Sequence, residues 1–219
     1  MSKHVFWQAL VFTVIVFASG LVLGYFLEVS RSEEINLLSL DSELNLVDQQ
    51  LQARSSGVLN ISCQDREKQL FSFADSIYND ASQLEEYDRN NLFSPSLTLL
   101  HKRYDLLRIL LWFEALDLRE DCDLKFHRVV YLYDYGIDEI DLKAKQKLFS
   151  RALLDLKYNH PDEILLIPIA HDSGLESTRI INERFSIKKS PAIVVDEAFV
   201  IYEINDFKEF EKVVLESNK

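Results

Sequence analysis

Val5 to Leu27 is a run of 23 residues without a formal charge, and Gln8 is its most polar member. As a helix the run is roughly 34 Å long at about 1.5 Å per residue, enough for a hydrocarbon core of about 30 Å. Trp7 at one end and Tyr25 and Phe26 at the other occupy positions that suit a membrane–water interface. A cleavable signal peptide is the competing reading, with Val16-Phe17-Ala18 as a tolerable cleavage site. The apolar run continues past that site through Gly20-Leu21-Val22-Leu23-Gly24, longer than the usual 7–15 residues, so a retained anchor over residues 1–28 is expected. Lys3 and the terminal amine precede the span, whereas Glu28, Arg31, Glu33 and Glu34 come after it. By the positive-inside rule the N-terminus is expected in the cytoplasm and the remaining chain outside it. Gly20 and Gly24 form a small-xxx-small pattern through which two spans could approach as a homodimer, although Gly is common in membrane helices generally.

Residues 29–123 read as an α-helical segment. Leu37, Leu40, Leu44, Val47 and Leu51 have 3-4-3-4 spacing, and Leu70, Ala74, Ile77, Ala81 and Leu84 repeat it. Ser94-Pro95 has the form of an N-cap with Pro at the first helical position, opening a third helix with Leu99, Leu100, Tyr104, Leu107 and Leu111 on its stripe. Breaks are expected at Arg54-Ser55-Ser56-Gly57 and from Tyr87 to Asn91. Two heptads fall short of a long coiled coil, so the stripes are expected to pack on one another or on the C-terminal domain; a partner-binding groove is the other reading.

Cys63 and Cys122 are the only cysteines, which excludes a disulfide-dense scaffold and a four-thiolate zinc site. Outside the cytoplasm such an isolated pair is expected to be oxidised. Two buried thiols or one reactive thiol are the alternatives, but Asp121 and Asp123 beside Cys122 disfavour its thiolate. Asn60-Ile61-Ser62 is a glycosylation sequon, usable only outside the cytosol. The formal net charge of −12, with no basic run longer than a pair such as Lys188-Lys189, argues against nucleic acid and against an anionic membrane surface as partners. His101, His127, His160 and His171 have no metal-ligand spacing, Lys143, Lys145 and Lys147 read as a solvated face, and no phosphate loop, nucleophile elbow or cofactor motif is present.

Residues 124–219 alternate regularly. Strands are expected at Arg128–Tyr133, Glu163–Ile169, Ala192–Val195 and Phe199–Tyr202, the last two joined by Asp196-Glu197-Ala198. Helices are expected over Asp138–Tyr158 (Leu142, Leu148, Ala152, Leu153 and Leu156 inward), over Leu175–Phe185 with Asp172 or Ser173 as cap, and after Asn205 or Asp206. The order β-α-β-α-β-β-α requires an α/β architecture with a mixed, covered sheet.

This order, together with Phe185-Ser186-Ile187-Lys188-Lys189-Ser190-Pro191-Ala192-Ile193-Val194-Val195, resembles the thioredoxin fold. The resemblance implies a cis Ser190-Pro191 bond and a loop around Ser190 and Pro191 that holds extended peptides. It also implies a Cys-x-x-Cys pair at the start of the first helix, where this chain has Gly136-Ile137-Asp138-Glu139. Asp138 and Glu139 suit a helix N-terminus electrostatically, which is explanation enough for them. The expected function is a membrane-anchored, extracytoplasmic binding or assembly module that resembles redox-inactive thioredoxin-like domains and needs no cofactor. A thiol-disulfide oxidoreductase using Cys63 and Cys122, and a structural subunit of a membrane complex, are the alternatives.

Overall fold

The computed structural model describes residues 3–58, 61–90, 95–122 and 126–217, so the sequon Asn60 and the expected cap Ser94 lie outside the described residues. Among these described residues are six helices and a four-stranded mixed sheet, and the chain divides into two compact units, residues 1–47 and 48–219.

Helix α1 runs Lys3–Val58 without the break expected at Arg54–Gly57. Its stretch Phe6–Leu27 has a mean hydropathy of 2.4 and is long and apolar enough to cross a membrane. The large side chains there are exposed, as a lipid-facing surface requires, and a Cβ added at Gly20 or Gly24 would meet nothing within 4 Å. Leu40, Leu44, Val47 and Leu51 are exposed as well, so that stripe is not part of a core within this chain. A 3.5-residue repeat on one helix is buried only against a second helix.

In residues 48–219, α2 (Cys63–Asn90) starts where Ser62 caps it: the Asp65 N–H donates to Ser62 Oγ, and that hydroxyl donates back to Asp65 Oδ2 at 2.7 Å. Leu70, Phe73 and Ile77 form its buried stripe against α3 (Pro95–Asp121), which contributes Leu100, Tyr104, Leu107 and Leu111. Leu99 turns outward, 69% exposed, against the stripe expected from sequence: it lies about 110° round α3 from the middle of those four.

Strand β1 (His127–Tyr133) pairs in parallel with β2 (Ile164–Ala170). On its other edge β1 pairs antiparallel with β3 (Ala192–Val195), and β3 pairs antiparallel with β4 (Phe199–Ile201), giving the order β2-β1-β3-β4. The central strands are buried on both faces, hence their nearly continuous apolar sequences. Pro168 falls in edge strand β2, where a missing N–H is tolerated. Helix α4 (Ile140–Asn159) packs Phe149, Ala152, Leu153 and Leu156 onto the sheet; Leu148 is exposed and Phe149 takes the inward place expected for it. Helix α6 (Phe207–Leu215) adds Phe210 and Val214 to the same core and is capped by Asp206, which accepts from the Glu209 N–H at 3.0 Å. Helix α5 (Glu176–Arg184) starts after Leu175, and neither Asp172 nor Ser173 caps it. The Ser190–Pro191 bond, one residue before β3, is cis.

Candidate functional site

Parallel pairing of β1 with β2 matches Tyr133 to Ala170, so Asp134 and His171, the next residue of each strand, emerge side by side at the C-terminal edge of the sheet. Gln146 of α4 pins Asp134 in place: the Asp134 N–H donates to its Oε1 at 2.8 Å, and its Nε2 donates to the Asp134 carbonyl at 3.0 Å. The His171 N–H donates to the Tyr133 carbonyl at 2.9 Å, and Asn182 of α5 donates to the His171 carbonyl. The two side chains then meet, with His171 Nε2 2.5 Å from Asp134 Oδ1. The contact is close but off the line of a hydrogen bond, so it holds the pair by charge proximity when the imidazole is protonated. Ser190 completes the cluster from the third strand's approach, donating its hydroxyl to Asp134 Oδ2 at 2.5 Å.

The order of these contacts decides what they can do. A serine nucleophile needs an imidazole to take its proton. Here the carboxylate stands between Ser190 and His171, so the hydroxyl is anchored and not activated. The cluster positions Ser190 at the mouth of the Lys188–Ser190 segment, which lies outside the sheet ladder.

Behind the cluster, Asp105 of α3 is buried and accepts from the Ala170 N–H at 3.1 Å, with Arg108 3.5 Å away. Burial pushes its carboxyl up to about 6, with Asp172 acting in the same direction and Arg108 and the Ala170 N–H opposing. Burial also raises the Tyr133 phenol, against the lowering influence of Arg108. Asp172 accepts from the Tyr135 N–H at 3.0 Å, and the Tyr135 ring lies 4.1 Å from that of His101. A cleft of about 560 Å³ opens alongside, lined among others by His171, Asp172, Leu175, Thr178, Arg179 and Asn182. Arg179 there is gripped by Glu176 and Glu183.

The loop expected to replace a dithiol site lies next to this cluster. Gly136 is exposed, Ile137 is half-buried, and Asp138 and Glu139 are exposed, with Glu139 at the N-cap of α4 making no side-chain cap bond. Cys63 and Cys122 are bonded to each other, with Cα atoms 5.9 Å apart. They tie the start of α2 to the end of α3, where Arg66 also meets Asp121 at 2.7 Å. Cys122 precedes β1 and Asp134 comes after it, so the disulfide and the cluster lie beyond opposite ends of a seven-residue strand, roughly 20 Å at about 3.3 Å per residue.

Four of the five histidines, all but His4, occupy separate environments. His127 contacts Asp196, His160 contacts Glu211, His171 contacts Asp134, and His101 contacts Tyr135. Sequence reading passed over the Asp134–His171 pair because it treated the histidines as scattered. The signal was present, since two parallel strands ending at 133 and 170 place 134 next to 171.

Sequence reading also missed a buried ionic network at the other end of the sheet. Asp196 and Glu197 form the β3–β4 turn with φ of 48° and 57°, both left-handed, and the Ala198 N–H donates back to the Val195 carbonyl at 2.9 Å. Asp196 receives the Arg128 N–H and the Ser217 hydroxyl and meets His127 Nδ1 at 2.7 Å. Glu197 receives Trp112 Nε1 at 2.7 Å and Arg128 Nε at 2.9 Å. Charge pairs and hydrogen bonds therefore hold two non-glycine residues in a conformation that costs each about 1 kcal/mol or more.

Compared with protein-family models, curated proteins and solved structures, the chain matches none of them.

Proposed function

We propose that this chain is a membrane-anchored, thioredoxin-like module that binds extended polypeptide at the Ser190-Pro191 loop and has no dithiol chemistry. One observation carries the reading. At the C-terminal edge of β1 stand Asp134, Ser190 and the Gly136–Glu139 loop, and the only two cysteines are bonded to each other beyond the opposite end of that strand. The strand order β2-β1-β3-β4, with β3 antiparallel to its neighbours, supports the thioredoxin-like assignment. Thiol exchange requires a thiolate to attack a disulfide, and that edge has no thiol to supply one. Lys188-Lys189-Ser190, outside the ladder and joined to Asp134 through the Ser190 hydroxyl, offers its backbone groups to a bound chain. On this reading the N-terminus is cytoplasmic and residues 28–219 are extracytoplasmic.

The test is a photo-crosslinking amino acid at position 189 in the full chain, exposed to unfolded polypeptide, together with an insulin-reduction assay. Cross-linking that falls when Ser190→Pro alters the loop, without turnover of insulin, is the expected result. Wild-type reductase activity that disappears in Cys63→Ser would overturn the reading in favour of the oxidoreductase. A Cys63–Cys122 potential below about −300 mV marks a structural bond, and one near roughly −200 mV marks a redox pair.

A second reading, a subunit of a membrane complex, is favoured by the exposed Leu40, Leu44 and Val47 on α1. Co-purification from mild detergent that is lost on changing all three to Ser distinguishes it from the first.

A further inference from the structure

Helix α4 buries one face on the sheet, and its outward face is basic with apolar ends. Ile140, Lys143, Lys147, Arg151, Leu154 and Tyr158 follow one another at 3-4-4-3-4 spacing, and all six are exposed. At about 100° and 1.5 Å per residue they form a stripe about 80° wide and about 27 Å long, opposite the buried Phe149, Leu153 and Leu156. Ile140 and Tyr158 are 82% and 87% exposed, more than any other large hydrophobic side chain described in residues 48–219. Two further lysines of α4 are engaged elsewhere: Lys145 lies over the Phe149 ring, and Lys157 donates to the Ile164 carbonyl at 2.8 Å. Lys143, Lys147 and Arg151 make no ion pair among the described residues. The acids of α4, Asp141 and Asp155, are exposed beyond one edge of the stripe. A chain of net charge −12 thus presents one stripe of three cations with no carboxylate among them.

We infer that the outward face of α4 docks an acidic amphipathic helix of a partner protein. Charge complementarity selects this occupant. Lys143, Lys147 and Arg151 stand at i, i+4 and i+8, in steps of about 6 Å along the helix. A second helix with carboxylates at the same spacing meets them one for one. Apolar side chains beyond its acids then cover Ile140 at one end and Leu154 and Tyr158 at the other. The shape of the stripe distinguishes a helix from a lipid surface. On a cylinder about 10–12 Å across, an 80° arc is about 8 Å wide, which one helix covers. An anionic bilayer is flat, so it would press phosphates against Asp141 and Asp155 as well, and the net charge of −12 would repel it. A polyanion without apolar groups would leave Ile140 and Tyr158 in water. The inference is independent of the peptide-binding reading, which concerns the Ser190-Pro191 loop.

The experiment uses the full chain in zwitterionic lipid nanodiscs. The probe is a labelled synthetic helix with Glu at i, i+4 and i+8 flanked by Leu, and binding is read by fluorescence anisotropy. Lys147→Glu together with Arg151→Glu should weaken binding about a hundredfold, because two attractions become repulsions. Ile140→Ser together with Tyr158→Ser should weaken it about tenfold and leave its salt dependence unchanged. The triple variant Lys143→Glu, Lys147→Glu, Arg151→Glu should instead bind a probe with Lys in place of the three Glu, which the wild type rejects. As a measurement that leaves every charge in place, an environment-sensitive dye on Leu154→Cys should shift to the blue when the acidic probe is added. A wild-type chain that does not bind the acidic probe overturns the inference, as does binding that ignores both pairs of substitutions. So does polyglutamate binding as tightly as the amphipathic probe, or a dye that responds to anionic nanodiscs and not to the probe, which would make the occupant a bilayer.

Discussion

Replacing Asp105 by Asn measures how strongly burial, against its one nearby cation, governs the group behind the Asp134–His171 cluster. Asp105 is 2% exposed, accepts from the Ala170 N–H and lies 3.5 Å from Arg108. Its carboxyl is raised from 3.8 to about 6, so burial outweighs both partners. In that interval the folded chain holds a proton that the unfolded chain has released, so stability falls as pH rises. The contribution is fully present below about 3.8 and is lost as pH passes through about 6. A shift of about 2 units at about 1.36 kcal/mol per unit makes the loss about 3 kcal/mol. For a chain of this size that is roughly 6–12 °C in Tm. Asn imitates the protonated acid and keeps an oxygen for Ala170, so Asp105→Asn should match wild type near pH 4 and exceed it by about 3 kcal/mol near pH 7.5. Thermal unfolding of the full chain in detergent from about pH 4 to 8, taken as a difference between the two proteins, isolates this group from the other titrating side chains. Two parallel curves, with the variant lower at every pH, would refute the reasoning and show that the Arg108 ion pair dominates.

Trp112→Phe keeps the aromatic stacking on Phe185 but strips the donor from Glu197 Oε1, and should cost about 1–3 kcal/mol in thermal unfolding. Glu197→Ala leaves the fully buried Arg128 short of an acceptor and should cost about 3 kcal/mol; Glu197→Gly should be milder than Ala by about 1 kcal/mol, because φ is 57° there. Burial resists ionisation of Asp196, but His127, Ser217 and Arg128 together outweigh it and hold the carboxyl below 3.8. Its contribution is therefore present above about 3.8 and lost as pH falls below that value, and Asp196→Asn should flatten acid unfolding in that range. Removing the disulfide with Cys63→Ser and Cys122→Ser opens a 59-residue loop and should lower stability by about 4 kcal/mol, read from unfolding with and without reductant.

The membrane-length apolar run, the order of strands and helices, and the pairing of the two cysteines are all legible along the chain. Each depends on local pattern: a run of uncharged residues, a period of two or 3.6, or a count that allows one partner. Face assignment is less secure. Leu99 and Leu148 sit one helical position from residues that point inward, and hydrophobicity alone does not say on which side the neighbouring element packs. What only the tertiary structure decided was which polar groups meet. Asp134 finds Ser190 across 56 residues, Arg128 finds Glu197 across 69, and Trp112 finds Glu197 across 85. Such meetings are set by strand register and by how α3 lies on the sheet, and hydrogen bonds are lost within about half an ångström of misplacement. Hydrophobic burial tolerates far looser placement. That is why the core could be read along the chain, whereas the Asp134–His171–Ser190 cluster and the Arg128 network emerged only once the strands were paired.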